Sequence, residues 1–305
     1  MKRRDFLKDA GLITAGCTLG SIGTYKFIEN KTAIKTNSAF KDKNCDWISH
    51  IEISLCYHCN LNCARCMHCS PIAPVYYMPL DIFEKDIARM SKITNSKIRN
   101  VMLLGGEPLL NKNIEEYIKI TRKYFKNSQI VISTNGLLLN DMPEQFWQTC
   151  AKYNIEIWHT LYPLHTKNPN LSKSYQKAIQ YKVILSPYTR YTFAQMNLDD
   201  KKQNKICETY KKCRYRIKST IIDNGILYPC PVIFSTKLFL NKYFKSKALP
   251  ISNNDFIDIY KLNSIAEFQQ FLKEPKDFCK YCNAQYVPQK LWALSKKEMC
   301  EWFNI

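Results

Sequence analysis

Glycine is what this 305-residue sequence has least of to spare: it holds eight, and Gly11, Gly16, Gly20 and Gly23 all fall within the first 25 residues. Gly105, Gly106, Gly136 and Gly225 must serve everything after that, so each marks a place where the backbone needs a positive φ or a close approach. Acidic residues are scarce as well, 26 against 45 lysines and arginines, for a formal charge of +19. That excess admits an anionic partner such as nucleic acid, anionic lipid or a phosphorylated substrate. The lysines are scattered along most of the chain, which favours a solvated basic surface instead. With 46% hydrophobic and 13% aromatic residues, the composition excludes a disordered chain and fits one large domain or two unequal ones.

The N-terminus stands apart from the rest. Lys2-Arg3-Arg4-Asp5-Phe6-Leu7-Lys8 is a charged segment with paired arginines, and Ala10 to Tyr25 is a short, weakly apolar run. Residues 1–25 resemble a twin-arginine translocation signal, which implies export or a membrane contact through this segment. The run falls short of the about 20 apolar residues that a bilayer span needs. No Ala-x-Ala cleavage site is evident, and the missing leucine three before Cys17 excludes a good lipoprotein signal. Residues 26–46 are polar, rich in Lys and Asn, and read as a linker.

Repeated units follow. Ile51, Ile53 and Leu55 alternate with polar residues, Val101 to Leu104 is an apolar run, and Ile130 to Ile132, Ile155 to Ile157 and Val183 to Leu185 come at intervals of roughly thirty residues, the length of a βα unit. Between them, Asp81 to Glu84 and Asp141 to Glu144 have capping-box spacing with an Asp cap, and Phe83, Ile87 and Met90 fall on one helical face. Strands alternating with helices predict an α/β fold on a parallel sheet, open or closed into a barrel. From about residue 206 the strands shorten, cysteines return, and Ser264 to Leu272 is the clearest helix. This predicts a core over 47–205 and a smaller domain over 206–305.

Gly105 and Gly106 end the second strand, Gly136 ends the third, and a cysteine cluster follows the first, so three candidate sites share the C-terminal edge of one sheet. The cluster reads Cys56-Tyr57-His58-Cys59-Asn60-Leu61-Asn62-Cys63-Ala64-Arg65-Cys66-Met67-His68-Cys69, five thiols in fourteen residues. Structural zinc is compatible with its Cys-x2-Cys pairs. A bacterial ferredoxin run is not, because Ala73 stands where its fourth cysteine belongs. Disulfides do not cluster thiols this closely. Cys-x3-Cys-x2-Cys fits in one register, Cys59, Cys63 and Cys66.

Cys59-Asn60-Leu61-Asn62-Cys63-Ala64-Arg65-Cys66, then Gly105-Gly106-Glu107-Pro108, then Ser133-Thr134-Asn135-Gly136, resembles the radical S-adenosylmethionine (SAM) superfamily over about residues 48–190. The resemblance implies a partial (β/α)6 TIM-like barrel, and Cys59, Cys63 and Cys66 as ligands of a [4Fe-4S] cluster whose open iron chelates SAM. It implies reductive cleavage to a 5′-deoxyadenosyl radical that takes hydrogen from substrate, with electrons from a cytoplasmic flavodoxin- or ferredoxin-type donor. Gly105 and Gly106 would let the backbone approach the methionine moiety, Glu107 would meet its ammonium, and Ser133 and Asn135 would contact ribose or carboxylate. His159 and Thr160 would line the substrate side. Arg65 departs from the aromatic residue many members hold before the third cysteine, and would stack on the base. Cys56 and Cys69 read as buried small hydrophobes.

A second pattern, Cys213, Gly225, Cys230 and Cys279-Lys280-Tyr281-Cys282, resembles the shorter, one-cluster form of the SPASM/Twitch extension. That implies an auxiliary [4Fe-4S] cluster on Cys213, Cys230, Cys279 and Cys282, with Cys207 in reserve and zinc as the alternative. The expected function is a radical SAM enzyme that oxidises or modifies a sugar, polysaccharide precursor or peptide. An exported iron-sulfur carrier and an RNA-modifying enzyme are the alternatives, although nucleic acid is not the expected partner. The chemistry favours the cytoplasm or the inner membrane face; the leader favours export. Eight basic residues lie between Lys201 and Lys218 against Glu208 alone, a solvated basic face or a hold on an anionic substrate.

Overall fold

The regularly spaced apolar runs become five parallel strands in a computed structural model that describes residues 47–164, 171–201, 204–284 and 288–304. The strands are β1 (Ile48–Ser54), β2 (Ile98–Leu104), β3 (Gln129–Thr134), β4 (Ile155–Leu161) and β5 (Ile184–Thr189). Helices α1 (Leu80–Thr94), α2 (Ile114–Tyr124), α3 (Glu144–Lys152) and α4 (Leu171–Gln180) join them in turn. The expected leader and linker, 1–46, lie outside the described residues, which belong to one compact unit, Asp46–Ile305. Among the described residues no helix is long and apolar enough to cross a membrane.

Ile51, Ile53, Val101, Leu103, Ile130 and Ile132 are buried because helices cover the sheet, the usual state of parallel strands. Phe83, Ile87 and Met90 of α1 pack onto it as their helical spacing predicts. The helix starts differ from expectation. Neither Asp81 nor Asp141 caps a helix: Pro79 and Pro143 occupy the N-cap positions of α1 and α3 with extended ψ and no side-chain cap bond. Asp81 and Glu144 lie within the first turn, where their charge favours the helix dipole.

The sheet does not stop at β1. Its order is β5-β4-β3-β2-β1-β7-β8-β9, so β7 (Ile221–Asp223), β8 (Ile226–Tyr228) and β9 (Ile257–Asp258), all from the 206–305 portion, extend it. Strand β7 runs parallel to β1, making six parallel strands, the sixth against the first strand rather than beyond the fifth. Asn224-Gly225 turns β7 into antiparallel β8 with φ of 46° and 75°, the left-handed pair a two-residue hairpin requires. A separate two-stranded sheet pairs β6 (Thr192–Ala194) with β10 (Gln289–Leu291). A second core of Tyr228, Phe234, Phe239, Phe278, Trp302 and Phe303 packs around Cys69.

Candidate active site

Each parallel strand ends on the same edge, and the loops there are stitched together by main chain. Gly106 N donates to Cys56 O at 2.9 Å and Glu107 N to His58 O at 3.1 Å. A Cβ on Gly105 would lie 2.3 Å from Cys56 O, and one on Gly106 would lie 2.0 Å from His58 O. The glycine pair is therefore demanded by the cysteine loop's own backbone, not by the approach of a ligand alone. Cys56 is fully buried and donates its thiol to Glu107 O at 3.1 Å; burial pushes that thiol up to about 12.

Beyond this seam lies a cavity of about 370 Å³. Cys59, Cys63 and Cys66 line it together with Gly105, Gly106, Ser133, Asn135 and Thr160. Burial raises Cys59 and Cys63 to about 12, so empty of a partner both would stay protonated. Yet donors point at their sulfurs: Leu61 N and Asn135 Nδ2 approach Cys59 Sγ at 3.3 and 3.5 Å, and Trp292 Nε1 approaches Cys63 Sγ at 3.2 Å. Donors aimed at sulfur suit thiolates, so the residues present fit an iron-sulfur group. Among the described residues no three His, Cys, Asp or Glu side chains converge on one ion.

Glu107 is not where the resemblance puts it. Its carboxylate is fully buried, outside the cavity wall, and accepts from Thr134 Oγ1 at 2.7 Å, Asn135 N at 2.8 Å and Leu109 N at 3.0 Å. Burial without a cation nearby raises it to about 7. Through these three bonds it locks the second strand end to the third. Asn135 is likewise occupied, donating to Asn60 Oδ1 at 2.7 Å and accepting from Leu137 N at 2.9 Å. Ser133 keeps its place in the wall. His159 packs beneath Gly136, where a Cβ would lie 2.0 Å from its Nε2; Thr160 and not His159 lines the cavity.

The C-terminal segment, which the sequence reading did not connect with the cluster loop, grips it. Ala64 N donates to Ala293 O, Ser295 N to Asn62 O, Arg65 N to Glu301 Oε2 and Trp302 Nε1 to Cys66 O, at 2.8 to 3.3 Å. Arg65 sits there with a left-handed φ of 61°. Glu52, His68, Arg190 and Arg214 also line the cavity and were not singled out from the sequence as site residues.

The later cysteines also meet. Cys213 ends α5 (Ile206–Lys212), Cys230 precedes α6 (Pro231–Ser235), Cys279 lies within a short 3-10 turn (Asp277–Tyr281) and Cys282 ends it; all four line one apolar cavity of about 60 Å³. Burial first, then neighbouring thiols, raise Cys230 to about 12 and Cys279 to about 11. Cys207 is exposed and lies outside this wall. Met67, Arg214 and Tyr215 line both cavities and so form the partition between them.

Residues 53–184 match the Radical SAM superfamily. GTP 3′,8-cyclase of Helicobacter pylori is 33% identical over 102 residues, 31% of this chain and 30% of that protein. The Clostridium perfringens GTP 3′,8-cyclase is 34% identical over 112 residues, 37% of this chain and 35% of that protein. The chain thus spans about a third of the length of these curated relatives. Among solved structures, BtrN in complex with AdoMet and 2-DOIA gives a TM-score of 0.47 at 18% identity, covering 79% of this chain and 98% of that one. Native anSMEcpe with bound AdoMet gives 0.40 at 19%, covering 47% and 44%. The stretch that holds Cys59, Cys63, Cys66 and the glycine pair thus lies wholly within the match to the Radical SAM superfamily, residues 53–184.

Proposed function

We propose that the enzyme holds a [4Fe-4S] cluster on Cys59, Cys63 and Cys66, binds SAM in the same cavity, and oxidises or modifies a small substrate there. The observation that carries this reading is the shared wall: three thiols, two with N–H donors aimed at sulfur, beside Gly105-Gly106 and Ser133. When bound, such a cluster supplies the low-potential electron that cleaves SAM reductively. The chain's own part is positioning. Asn135 and Trp292 steady the Cys59 and Cys63 sulfurs, and Glu107 and the glycine seam hold the loop that carries them. Leu61, Tyr162 and Phe193 form an apolar side that limits water near the thiols.

On the same reading Cys213, Cys230, Cys279 and Cys282 hold an auxiliary [4Fe-4S] cluster that takes up an electron after hydrogen removal. Their common apolar cavity supports it. The electron donor is of flavodoxin or ferredoxin type, and the site of action is the cytoplasm or the inner face of the membrane. Anaerobic reconstitution with iron and sulfide, then dithionite and SAM, tests the proposal. 5′-Deoxyadenosine is expected; its absence from a preparation with a reducible cluster would favour an electron carrier.

A further inference from the structure

The active-site cavity has an unusual charge. The sequence has nine arginines among 45 basic residues, yet among the described residues three arginines and no lysine line this wall, against the single carboxylate of Glu52. The three come from separate elements: Arg65 from the cysteine loop, Arg190 from the end of β5, and Arg214 from the residue after Cys213. None forms an ion pair among the described residues, and Arg65 Nε is buried without a hydrogen-bond partner. Two of them lie over aromatic rings. Arg190 Cζ lies 5.5 Å from the Tyr188 centroid and 5.4 Å from that of Phe193, and Arg214 Cζ lies 5.4 Å from Tyr215. A guanidinium stacked in this way keeps its N–H edges for a planar or tetrahedral oxyanion.

SAM does not neutralise this charge, because it brings a sulfonium and an ammonium against one carboxylate. A [4Fe-4S] cluster on three thiolates adds about one negative charge, which SAM's excess positive charge cancels. Two positive charges are left facing the cavity from Arg65, Arg190, Arg214 and Glu52. We infer that the substrate is a phosphorylated small molecule whose phosphate is held by Arg190 and Arg214. This rests on the radical SAM reading above and names the substrate class for the same site. Phosphate fits better than a single carboxylate because it offers about two charges and three oxygens to forked donors. The location is inside the cavity wall, not on the basic run: of the described basic residues from Lys201 to Lys218, only Arg214 lines it.

The test is calorimetric titration of inorganic pyrophosphate into the reconstituted full chain saturated with SAM. Wild-type protein should bind it, Arg190→Gln and Arg214→Gln should each weaken binding about tenfold or more, and Lys211→Gln/Lys212→Gln should leave it within about twofold. Absent binding in the wild type, binding lost only with the lysine pair, or equal affinity for succinate would overturn the inference. Phenylglyoxal labelling of the wild-type chain keeps the test decisive if a variant misfolds. Pyrophosphate should protect Arg190 and Arg214, and equal labelling with and without it would overturn the inference. The same wild-type preparation, assayed for 5′-deoxyadenosine, separates the two readings: cleavage without pyrophosphate binding overturns the substrate class alone, whereas binding without cleavage at a reducible cluster overturns the radical reading.

Discussion

Trp292 donates its indole N–H to the Cys63 sulfur at 3.2 Å, although it lies more than a hundred residues beyond the matched segment. A hydrogen bond to a ligating sulfur stabilises the more negative, reduced cluster. Trp292→Phe keeps most of the packing and removes the donor, so the midpoint potential should fall by roughly 20 to 60 mV, the equivalent of about 1 kcal/mol on a one-electron couple. Redox titration followed by electron paramagnetic resonance reads the shift; an unchanged potential would mean that the indole only packs. Glu107 makes a prediction of a different kind. Its folded value of about 7 stands above the ordinary 4.5, so its protonated form is favoured by the fold. The stability this contributes is complete below pH 4.5 and is lost as pH rises through 7, amounting to roughly 3 kcal/mol at most. Between pH 6 and 8 the apparent melting temperature should therefore fall more steeply for wild type than for Glu107→Gln. The variant should also be weaker at every pH by about 1 to 3 kcal/mol, because its amide turns a donor toward one of the three groups that now donate to the carboxylate.

At the scale of elements, the seam between the β2 end and the cysteine loop is the least forgiving part of the site. A methyl on Gly106 would meet His58 O at 2.0 Å and His58 C at 2.3 Å, both main-chain atoms that no side-chain rotation can clear. Gly106→Ala should cost about 3 kcal/mol or more and lower the iron retained after reconstitution. Gly225→Ala, in a hairpin with φ of 75° and its nearest neighbour a tyrosine ring atom at 3.2 Å, should cost about 1 to 2 kcal/mol. Apparent unfolding midpoints with iron analysis would rank the two. The same seam explains what the sequence made legible. Strands β1 to β4 could be read because buried parallel strands leave apolar runs at βα spacing, and β5, a largely exposed edge strand, because Val183 to Leu185 falls at the same interval. The site residues on their ends, Cys59, Cys63, Cys66, Gly105, Gly106, Ser133 and Asn135, could be read as lining one edge because order along the chain becomes adjacency in such a sheet. Asp81 and Asp141 were misread as caps because capping-box spacing alone does not place the helix start: Pro79 and Pro143 are the N-caps, which puts Asp81 in the first turn of α1 and Asp141 two residues before the cap of α3. Strand β7 is three residues long, and Arg190, Arg214, Trp292 and Glu301 reach the loop from distant segments, so no local period announces any of them.

At the scale of the molecule, two cysteine sets lie in separate cavities of one compact unit and share only the partition of Met67, Arg214 and Tyr215. Sites built on different elements, the first beside Leu61 and Phe193 and the second against the core of Phe234 and Phe278, should lose metal independently. Changing Cys59, Cys63 and Cys66 together to Ala should abolish SAM cleavage and leave about four irons per chain at the second set, as a four-thiolate cluster requires. Changing Cys213, Cys230, Cys279 and Cys282 should do the reverse, leaving cleavage uncoupled from product, because the hydrogen-abstracting cavity keeps its own thiols. The partition adds a further expectation. Arg214 and Tyr215 follow Cys213 directly, so emptying the second cavity should loosen the arginine proposed to hold phosphate and weaken pyrophosphate binding, while the first triple substitution should spare it. Iron and sulfide analysis, spin counting and calorimetry on both variants measure these outcomes together. If the first variant carries one zinc in place of iron and sulfide after anaerobic purification, the C-terminal set is a structural knuckle. If both variants retain every iron, the ligands lie elsewhere among Cys56, Cys69 and Cys207, and the register Cys59, Cys63, Cys66 is wrong.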